Sequence, residues 1–197
     1  MGGFWAIILA AGASKRMGFP KMLLTFSGRT MIENVIANVI ESEVDNIMVV
    51  LGADSDVLIE LIRKSSARYC YNDKYKEGML SSVKCGLRNL PSDIDAVLVF
   101  QGDQPFITPK SINTVIHAYL ASGTGIVIPV YEKRRGHPIL IDRKYLDEIE
   151  KLEAREGLRS LAYKFSDDVL EVDTKDSGIL RDFDTYEEYK KEINQIQ

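Results

Sequence analysis

Short apolar runs alternate with longer amphipathic segments along the first two thirds of the chain. The apolar runs predict five strands, at residues 4–9, 47–51, 68–71, 96–100 and 126–130. Apolar residues at helical spacing predict four helices between them, at residues 30–41, 54–64, 80–89 and 109–120. Because strands that alternate with helices form βαβ units, this pattern predicts an open, mostly parallel sheet.

The strand at 96–100 is apolar at every position, with the sequence Ala96-Val97-Leu98-Val99-Phe100. A continuous apolar run of this kind is typical of a parallel strand that is buried on both faces. The sheet is therefore expected to lie between two helical layers. We predict a single-domain, Rossmann-like three-layer α/β/α fold over residues 1–197, a length that one hydrophobic core accommodates.

The pattern changes after Tyr131. A charged turn at 132–136, a short apolar run at 138–141 and a broken helix at 145–164 predict an insertion that covers one edge of the active site. A last strand at 169–172 and a closing helix at 186–196 complete the prediction.

The composition excludes several classes of protein. A net charge of −4 disfavours general nucleic-acid binding, which depends on clustered lysine and arginine. The longest apolar run, at 4–11, is too short to span a membrane and has no basic residues before it. We expect a cytoplasmic protein with no nucleic-acid or membrane partner.

The two cysteines and two histidines form no metal-binding pattern. Cys70 and Cys85 lie outside any C-x-x-C motif, and the histidines are His117 and His137. Neither a zinc site nor a disulfide scaffold is expected from this spacing. The cysteines are interpreted as small apolar residues.

A loop of small and basic residues follows the first strand. It runs from Leu9 to Lys21 and reads Leu9-Ala10-Ala11-Gly12-Ala13-Ser14-Lys15-Arg16-Met17-Gly18-Phe19-Pro20-Lys21. Ligands of open α/β sheets bind beyond the carboxyl ends of the strands. Small side chains let backbone N–H groups approach phosphate oxygens, and basic side chains neutralise their charge. The loop therefore predicts a triphosphate site, although a solvent-exposed turn is the alternative.

Two familiar phosphate motifs do not fit this loop. A P-loop counted from Gly12 would need glycine and lysine where Met17 and Gly18 stand. A dinucleotide fingerprint would need glycine in place of Ser14. The loop is thus neither a P-loop nor a dinucleotide-binding turn.

The apolar strand at 96–100 delivers a carboxylate to the same edge of the sheet. It is followed by Gln101-Gly102-Asp103-Gln104-Pro105. Mg²⁺ in nucleotide sites uses one or two protein carboxylates and completes its shell with water and substrate phosphates. The alternative is a simple turn that leads into the helix at Thr108-Pro109. Together, the loop and Asp103 predict a nucleotide–metal site.

These two motifs resemble those of the MobA-like nucleotidyltransferases, which have the nucleotide-diphospho-sugar transferase type of fold. The resemblance extends along nearly the whole chain. Four features are similar to the molybdenum cofactor cytidylyltransferase branch: Ala10-Ala11-Gly12, the segment Asn72 to Ser82, Gly136-His137-Pro138, and Asp182-x-Asp184-Thr185. The guanylyltransferase branch is less similar at these points.

The resemblance implies a role for each matching residue. The catalytic residues would be Arg16, Lys21 and Asp103. The nucleotide-binding residues would be Leu9, Ala10, Ala11, Gly12, Ser14, Arg16, Lys21, Gly52, Asn72, Gly78, Met79, Ser81, Ser82 and Asp103. The acceptor-binding residues would be Gln104, Gly136, His137, Pro138 and Arg159. Asp103 and Asp184 would bind the metal, although Asp184 is equally a candidate helix N-cap and His137 a candidate turn residue.

The reaction implied by the resemblance is Mg²⁺-dependent cytidylyl transfer from CTP to a molybdopterin-type cofactor, with transient docking to a molybdoenzyme. One alternative is another nucleotidyl transfer that uses GTP, or that activates a sugar phosphate or methylerythritol phosphate. An alternative of another class is a non-catalytic carrier of the finished cofactor.

The chain departs from the family pattern at two positions. Where Gly-Asp-x-Gly-x-Arg is expected, it has Ala154-Arg155-Glu156-Gly157-Leu158-Arg159, which lacks the first glycine. Phe183 replaces the small aliphatic residue between the two terminal aspartates. The first departure affects the expected acceptor site.

Overall fold

The computed structural model describes residues 2–14, 17–53, 55–183 and 185–196, with residues 26 and 192–196 described by their backbone only. Two predicted site residues, Arg16 and Asp184, therefore lie outside the described residues.

The described residues form ten strands. They are β1 (Phe4–Ala10), β2 (Thr25–Phe26), β3 (Arg29–Thr30), β4 (Asn46–Leu51), β5 (Arg68–Tyr71), β6 (Ala96–Gln101), β7 (Ile126–Tyr131), β8 (Arg134–Arg135), β9 (Ile139–Asp142) and β10 (Val169–Asp173).

Seven α-helices lie in the same part of the chain. They are α1 (Met31–Ile40), α2 (Ser55–Ile62), α3 (Met79–Arg88), α4 (Pro109–Ser122), α5 (Leu146–Lys151), α6 (Gly157–Lys164) and α7 (Tyr186–Ile196). Short 3₁₀ turns occur at Lys21–Leu23, Tyr75–Glu77, Arg143–Tyr145, Ser166–Asp168 and Ser177–Leu180.

The main sheet has the strand order β10-β7-β9-β6-β1-β4-β5, with β8 paired to β7. Strand β1 is parallel to both of its neighbours, β4 and β6. Strand β9 is antiparallel to both β6 and β7, whereas β10 is again parallel to β7. The mostly parallel sheet that the sequence predicts is confirmed.

Alternate residues of each strand face opposite helical layers. In β1, Ala6 and Ile8 pack with α1, α2 and α4, while Trp5 and Ile7 pack with α3, α5 and α6. Since successive side chains of a strand point to opposite faces, a continuous apolar strand supplies both cores. The three-layer α/β/α arrangement is confirmed.

The prediction that residues 138–141 belong to an insertion over one edge of the active site is wrong. Residues 139–142 form β9, which lies inside the sheet between β6 and β7. Leu140 and Ile141 are 0% and 1% exposed. The short β7–β8 hairpin reverses the chain, so that the apolar run enters the sheet antiparallel and satisfies backbone groups on both sides.

A small hairpin and an aromatic cluster were not predicted. Strands β2 and β3 have two residues each and pair around Ser27-Gly28, both with positive φ. Beside them, Met17, Leu24, Met31, Phe183 and Tyr189 form a separate buried cluster. The Tyr189 hydroxyl donates to the Thr25 carbonyl at 2.6 Å. This cluster fixes α7 against the loop that follows β1.

No helix in the described part of the chain is long and apolar enough to cross a membrane.

The two-sided burial of the central strands makes a prediction about stability. Leu98 of β6 is 0% exposed, so Leu98→Ala removes buried methyl groups and leaves a cavity. We expect a loss of about 2–5 kcal/mol in the free energy of unfolding. Urea denaturation measures this loss. The matched control is Leu120→Ala, at a leucine 63% exposed on α4, for which we expect a change below about 0.5 kcal/mol. Equal losses in the two variants would contradict the assigned burial.

Candidate active site

The loops that follow β1 and β6 meet at the carboxyl edge of the sheet. Leu9 and Gln101 are paired in register at the ends of these parallel strands. The Gly102 amide then donates to the Leu9 carbonyl at 3.0 Å. A Cβ atom at Gly102 would lie 2.9 Å from that carbonyl oxygen, so only glycine allows this approach. This close contact places Asp103 beside the loop after β1.

Asp103 and Lys21 form an ion pair between the two loops. The Lys21 ammonium donates to Asp103 Oδ2, and it lies 3.4 Å from the Phe183 carbonyl oxygen. The two charged side chains are 17% and 11% exposed. Charges this shielded from water require partners, because desolvation disfavours an isolated ion. The structure therefore brings together two of the three predicted catalytic residues, the third being Arg16.

Ser14 accepts hydrogen bonds from later residues of the same loop after β1. Its carbonyl accepts from the Met17 amide at 2.9 Å, and its hydroxyl oxygen accepts from the Lys21 amide at 3.0 Å. Ser14 has a φ of +45°, which lies in the left-handed region and turns the chain sharply. The Gly12 position faces open space, with no atom within 4 Å of a Cβ built there. Ser14 thus shapes the loop, and Gly12 leaves its surface open.

A cleft of about 310 Å³ opens over these two loops. Its lining residues are Leu9, Ala11, Gly12, Lys21, Met22, Tyr75, Gly78, Met79, Ser82, Gln101 and Asp103. Eight of these were predicted to bind nucleotide, and Met22, Tyr75 and Gln101 were not. The predicted residues Ala10, Ser14, Gly52, Asn72 and Ser81 are absent from the lining. A cleft of this size is in the range of small-molecule sites.

Asn72 holds together the wall of the cleft opposite the loop after β1. It is 3% exposed, and its amide nitrogen donates to the hydroxyls of Ser81 and Ser82 at 2.9 and 3.0 Å. Its amide oxygen accepts from the Lys74 backbone at 3.0 Å. Since both of its amide protons are engaged within the protein, Asn72 supports the wall, while Ser82 and Gly78 face the cleft.

Gly52 joins this wall to the loop after β1. A Cβ atom at Gly52 would lie 2.7 Å from the Ala11 carbonyl oxygen and 2.8 Å from the Cβ of Tyr75. The Ala53 amide donates to the same carbonyl at 3.2 Å. The absence of a side chain at this position brings Ala11 and Tyr75 close together.

A second pocket adjoins the cleft and shares Met79 and Gln101 with it. Its remaining lining residues are Val99, Ile126, Ile128, Arg135, Gly136, His137, Ile139, Ile141, Leu158, Arg159, Leu161 and Ala162. Most of these side chains are apolar and come from the sheet and from α6. The polar groups are Gln101, His137 and the guanidinium groups of Arg135 and Arg159.

The predicted acceptor residues divide between this pocket and its surroundings. Gly136, His137 and Arg159 line the pocket, whereas Pro138 and Gln104 line neither it nor the cleft. Gln104 is 5% exposed, and its side-chain oxygen has no hydrogen-bond partner among the described residues. Despite the missing family glycine, α6 begins at Gly157 and keeps Arg159 on the pocket wall. Arg135, which pairs with Glu171 at 2.7 Å, was not predicted.

Desolvation lowers the pKa of His137 to about 4, and the nearby Asp103 carboxylate opposes this shift. The ring nitrogens lie 3.3 and 3.5 Å from the Gln101 amide nitrogen. At neutral pH the imidazole is therefore uncharged, because its protonated form would be poorly solvated. His137 is suited to hydrogen bonding with a ligand and is a weak base.

The turn that contains His137 rests on the 3₁₀ turn Ser177–Leu180. The His137 amide donates to the Ile179 carbonyl at 3.2 Å. Asp176 holds this second turn, since its carboxylate accepts from the Ser111 hydroxyl at 2.6 Å and from the Gly178 amide at 2.8 Å. These hydrogen bonds lower the pKa of Asp176, although burial opposes them. Asp176 was not predicted, because its partner Ser111 lies 65 residues away in the sequence.

Among the described residues, no group of three or more histidine, cysteine, aspartate or glutamate side chains is arranged to hold a metal ion. Asp103 remains the acidic residue on the cleft wall. Charged groups of both signs thus line an open cleft that adjoins a smaller, mostly apolar pocket. Such a site can hold an anionic ligand and a second ligand side by side.

Known proteins resemble this chain in sequence and in fold. Residues 6–169 match the model of the MobA-like NTP transferase domain. A probable molybdenum cofactor guanylyltransferase of Methanosarcina acetivorans is 30% identical over 154 residues, which cover 74% of this chain and 67% of that protein.

The bifunctional protein GlmU of Clostridium kluyveri is 34% identical over 125 residues. The match covers 62% of this chain and 27% of GlmU, so the chain spans just over a quarter of that relative's length. A nucleotidyl transferase structure from Methanothermobacter thermautotroptrophicus superposes with a TM-score of 0.84 at 20% identity, covering 99% of this chain and 98% of the other. This likeness concerns the fold. The family match over most of the chain shows that this protein belongs to the MobA-like NTP transferases.

Proposed function

We propose that this protein is an Mg²⁺-dependent cytidylyltransferase that joins CTP to a molybdopterin-type cofactor and releases pyrophosphate. The observation that carries the proposal is the Lys21–Asp103 pair on the wall of a cleft that adjoins a second pocket. The larger cleft would hold the nucleotide, and the second pocket would hold the acceptor. Met79 and Gln101, which line both, mark where the two substrates would meet.

In this reaction an acceptor oxygen attacks the α-phosphorus of the nucleoside triphosphate. The bond from the α-phosphorus to the oxygen that bridges the α- and β-phosphates breaks, and pyrophosphate takes the electron pair. Lys21 lies beside the open backbone of Gly12, where it would neutralise charge on the leaving group. Arg16 has the same proposed role by family resemblance.

The residues of the cleft fit a magnesium ion that binds together with its nucleotide. Mg²⁺ keeps several waters and is held in such sites by one or two carboxylates and by substrate phosphates. Asp103 supplies a carboxylate on the cleft wall, and the family resemblance adds Asp184. The ion, when bound, would neutralise phosphate charge. Lys21 would then exchange its Asp103 partner for a phosphate oxygen.

The acceptor phosphate requires no histidine base. Its second pKa near 6 leaves a phosphate monoester largely ionised at neutral pH. The lowered pKa of His137 agrees with this, because a group with a pKa of about 4 is a poor base at pH 7. His137 would instead donate a hydrogen bond from its neutral ring and orient the acceptor. Arg159 and Arg135 would attract the negative charge of the acceptor phosphate.

Two observations favour CTP. The Ala10-Ala11-Gly12 motif resembles the cytidylyltransferase branch, and the Ala11 side chain occupies the point where Gly52 and Tyr75 approach the loop. For a base bound beside Ala11, this methyl group would reduce the available space and would favour the single ring of cytosine. GTP is the second candidate, because the relative from Methanosarcina acetivorans is named a guanylyltransferase. Delivery of the product to a molybdoenzyme is part of the same proposal.

Pyrophosphate release tests this proposal. The protein is incubated with Mg²⁺ and CTP, GTP, ATP or UTP, together with molybdopterin-type cofactor, a sugar phosphate, methylerythritol phosphate or no acceptor. We expect release that requires both CTP and the cofactor, because the two pockets must be filled together. Release with GTP and not with CTP would replace the cytidylyl assignment by a guanylyl one. Release only with a sugar phosphate or methylerythritol phosphate would identify that compound, and not the molybdopterin-type cofactor, as the acceptor.

Asp103→Asn is the matched variant for this experiment, since it keeps the shape of the side chain and removes its charge. We expect turnover to fall by about 100-fold or more, which corresponds to about 3 kcal/mol of lost transition-state stabilisation. Full turnover in this variant would contradict the metal assignment. Absence of release from the folded wild-type protein, with every nucleotide and acceptor, would favour the carrier function instead.

The lowered pKa of His137 predicts a pH dependence of stability. The ordinary pKa is 6.5 and the folded value is about 4, so between these values the unfolded chain binds more protons. Stability therefore falls as the pH is lowered from 6.5 towards 4. His137→Gln removes this contribution, and we expect a shallower decline in that variant. Urea denaturation at pH values from 7 to 4.5 measures both slopes, and identical slopes would contradict the assignment.

A further inference from the structure

The order of strands divides the carboxyl edge of the sheet into regions. Asp103 follows β6, and the phosphate loop follows β1, its direct neighbour. On one side of them, β9 and β7 supply the floor of the second pocket. On the other side lie β4 and β5. With the acceptor on the first side and phosphates in the middle, the nucleoside must extend towards β4 and β5.

Tyr75 lies in this remaining region. It belongs to the 3₁₀ turn Tyr75–Glu77, which follows β5, and its Cβ packs at the Gly52 position after β4. Neighbouring strands are about 4.8 Å apart, so β5 lies roughly 10 Å from β1, a distance that a nucleoside spans. Among the described residues, Tyr75 is the single aromatic residue on the cleft wall.

The turn that carries Tyr75 is held from several directions. The Gly78 amide donates to the Tyr75 carbonyl at 3.4 Å, and the Glu77 amide donates to the Lys74 carbonyl at 2.9 Å. Asn72 anchors both ends of the segment through Lys74 and Ser82. The Lys76 ammonium lies 5.8 Å from the ring centroid, within the range of a cation–π contact. The ring is therefore positioned before a ligand binds.

We propose that Tyr75 is the stacking surface for the nucleotide base. Every base presents a π-face, so an aromatic ring contributes affinity without selecting one base over another. Base selection would then rest on the size limit at Ala11, and Tyr75 would orient the nucleoside so that its α-phosphate points towards Asp103. The proposal rests on nucleotide binding in the cleft, and it does not depend on the identity of the acceptor.

Direct titration with CTP, GTP and tripolyphosphate in the presence of Mg²⁺ tests this role. For Tyr75→Ala we expect the dissociation constants of CTP and GTP to rise by about 10- to 100-fold, in line with the loss of one stacking contact. The affinity for tripolyphosphate, which has no base, should stay within about twofold of wild type. Tyr75→Phe keeps the ring and should bind both nucleotides like the wild type.

Tyr71→Ala is the matched control, because Tyr71 is a 55% exposed tyrosine of the same segment and does not line the cleft. We expect it to bind all three ligands like the wild type. Unchanged nucleotide affinity in Tyr75→Ala would overturn the proposal. An equal loss for tripolyphosphate would also overturn it, since the turn would then be structural. If the cytidylyl assignment fails, the loss of nucleotide affinity in Tyr75→Ala is still expected.

Discussion

The hydrogen bond from the Gly102 amide to the Leu9 carbonyl is the contact on which the site depends. It continues the pairing of β1 and β6 one residue beyond the end of β6. The close approach of the two backbones leaves no space for a side chain at Gly102. Because the two loops are fixed at this distance, Lys21 and Asp103 meet as an ion pair shielded from water. A wider separation would leave the buried Asp103 carboxylate without its ion-pair partner, and loss of one partner of a buried ion pair costs several kcal/mol.

Burial on both sides of the sheet explains why much of the fold was predictable. The strand 96–100 is apolar at every position, and Thr30 begins α1 with a capping box that involves Glu33. Such local signals depend on near neighbours in the sequence. The position of β9 in the sheet is not set by local signals, because a four-residue apolar run does not specify which strands it pairs with. The two-residue strands β2 and β3 are likewise too short to produce a periodic pattern.

The same distinction applies to the site. Gly12, Lys21 and Asp103 follow buried strands, so the position of each on the cleft wall was predictable from local sequence and the rule for open sheets. Asp176 and Arg135 act through partners that only the folded chain brings near. Asn72 was predicted beside the nucleotide, and the structure shows its amide group bonded to Ser81 and Ser82. Sequence reasoning thus predicted which loops meet at the cleft, whereas the hydrogen-bond and ion-pair partners of the side chains required the structure.

Two substrates bound side by side in the cleft and in the adjoining pocket would react by direct displacement at the α-phosphorus. The stereochemistry at that phosphorus is the most direct measurement of this claim. A single diastereomer of CTP with sulfur at the α-phosphate is transferred to the acceptor, and the configuration of the product is determined. Direct displacement predicts inversion. Retention would indicate two successive displacements through a nucleotidyl group on the protein and would contradict the adjoining-pocket arrangement.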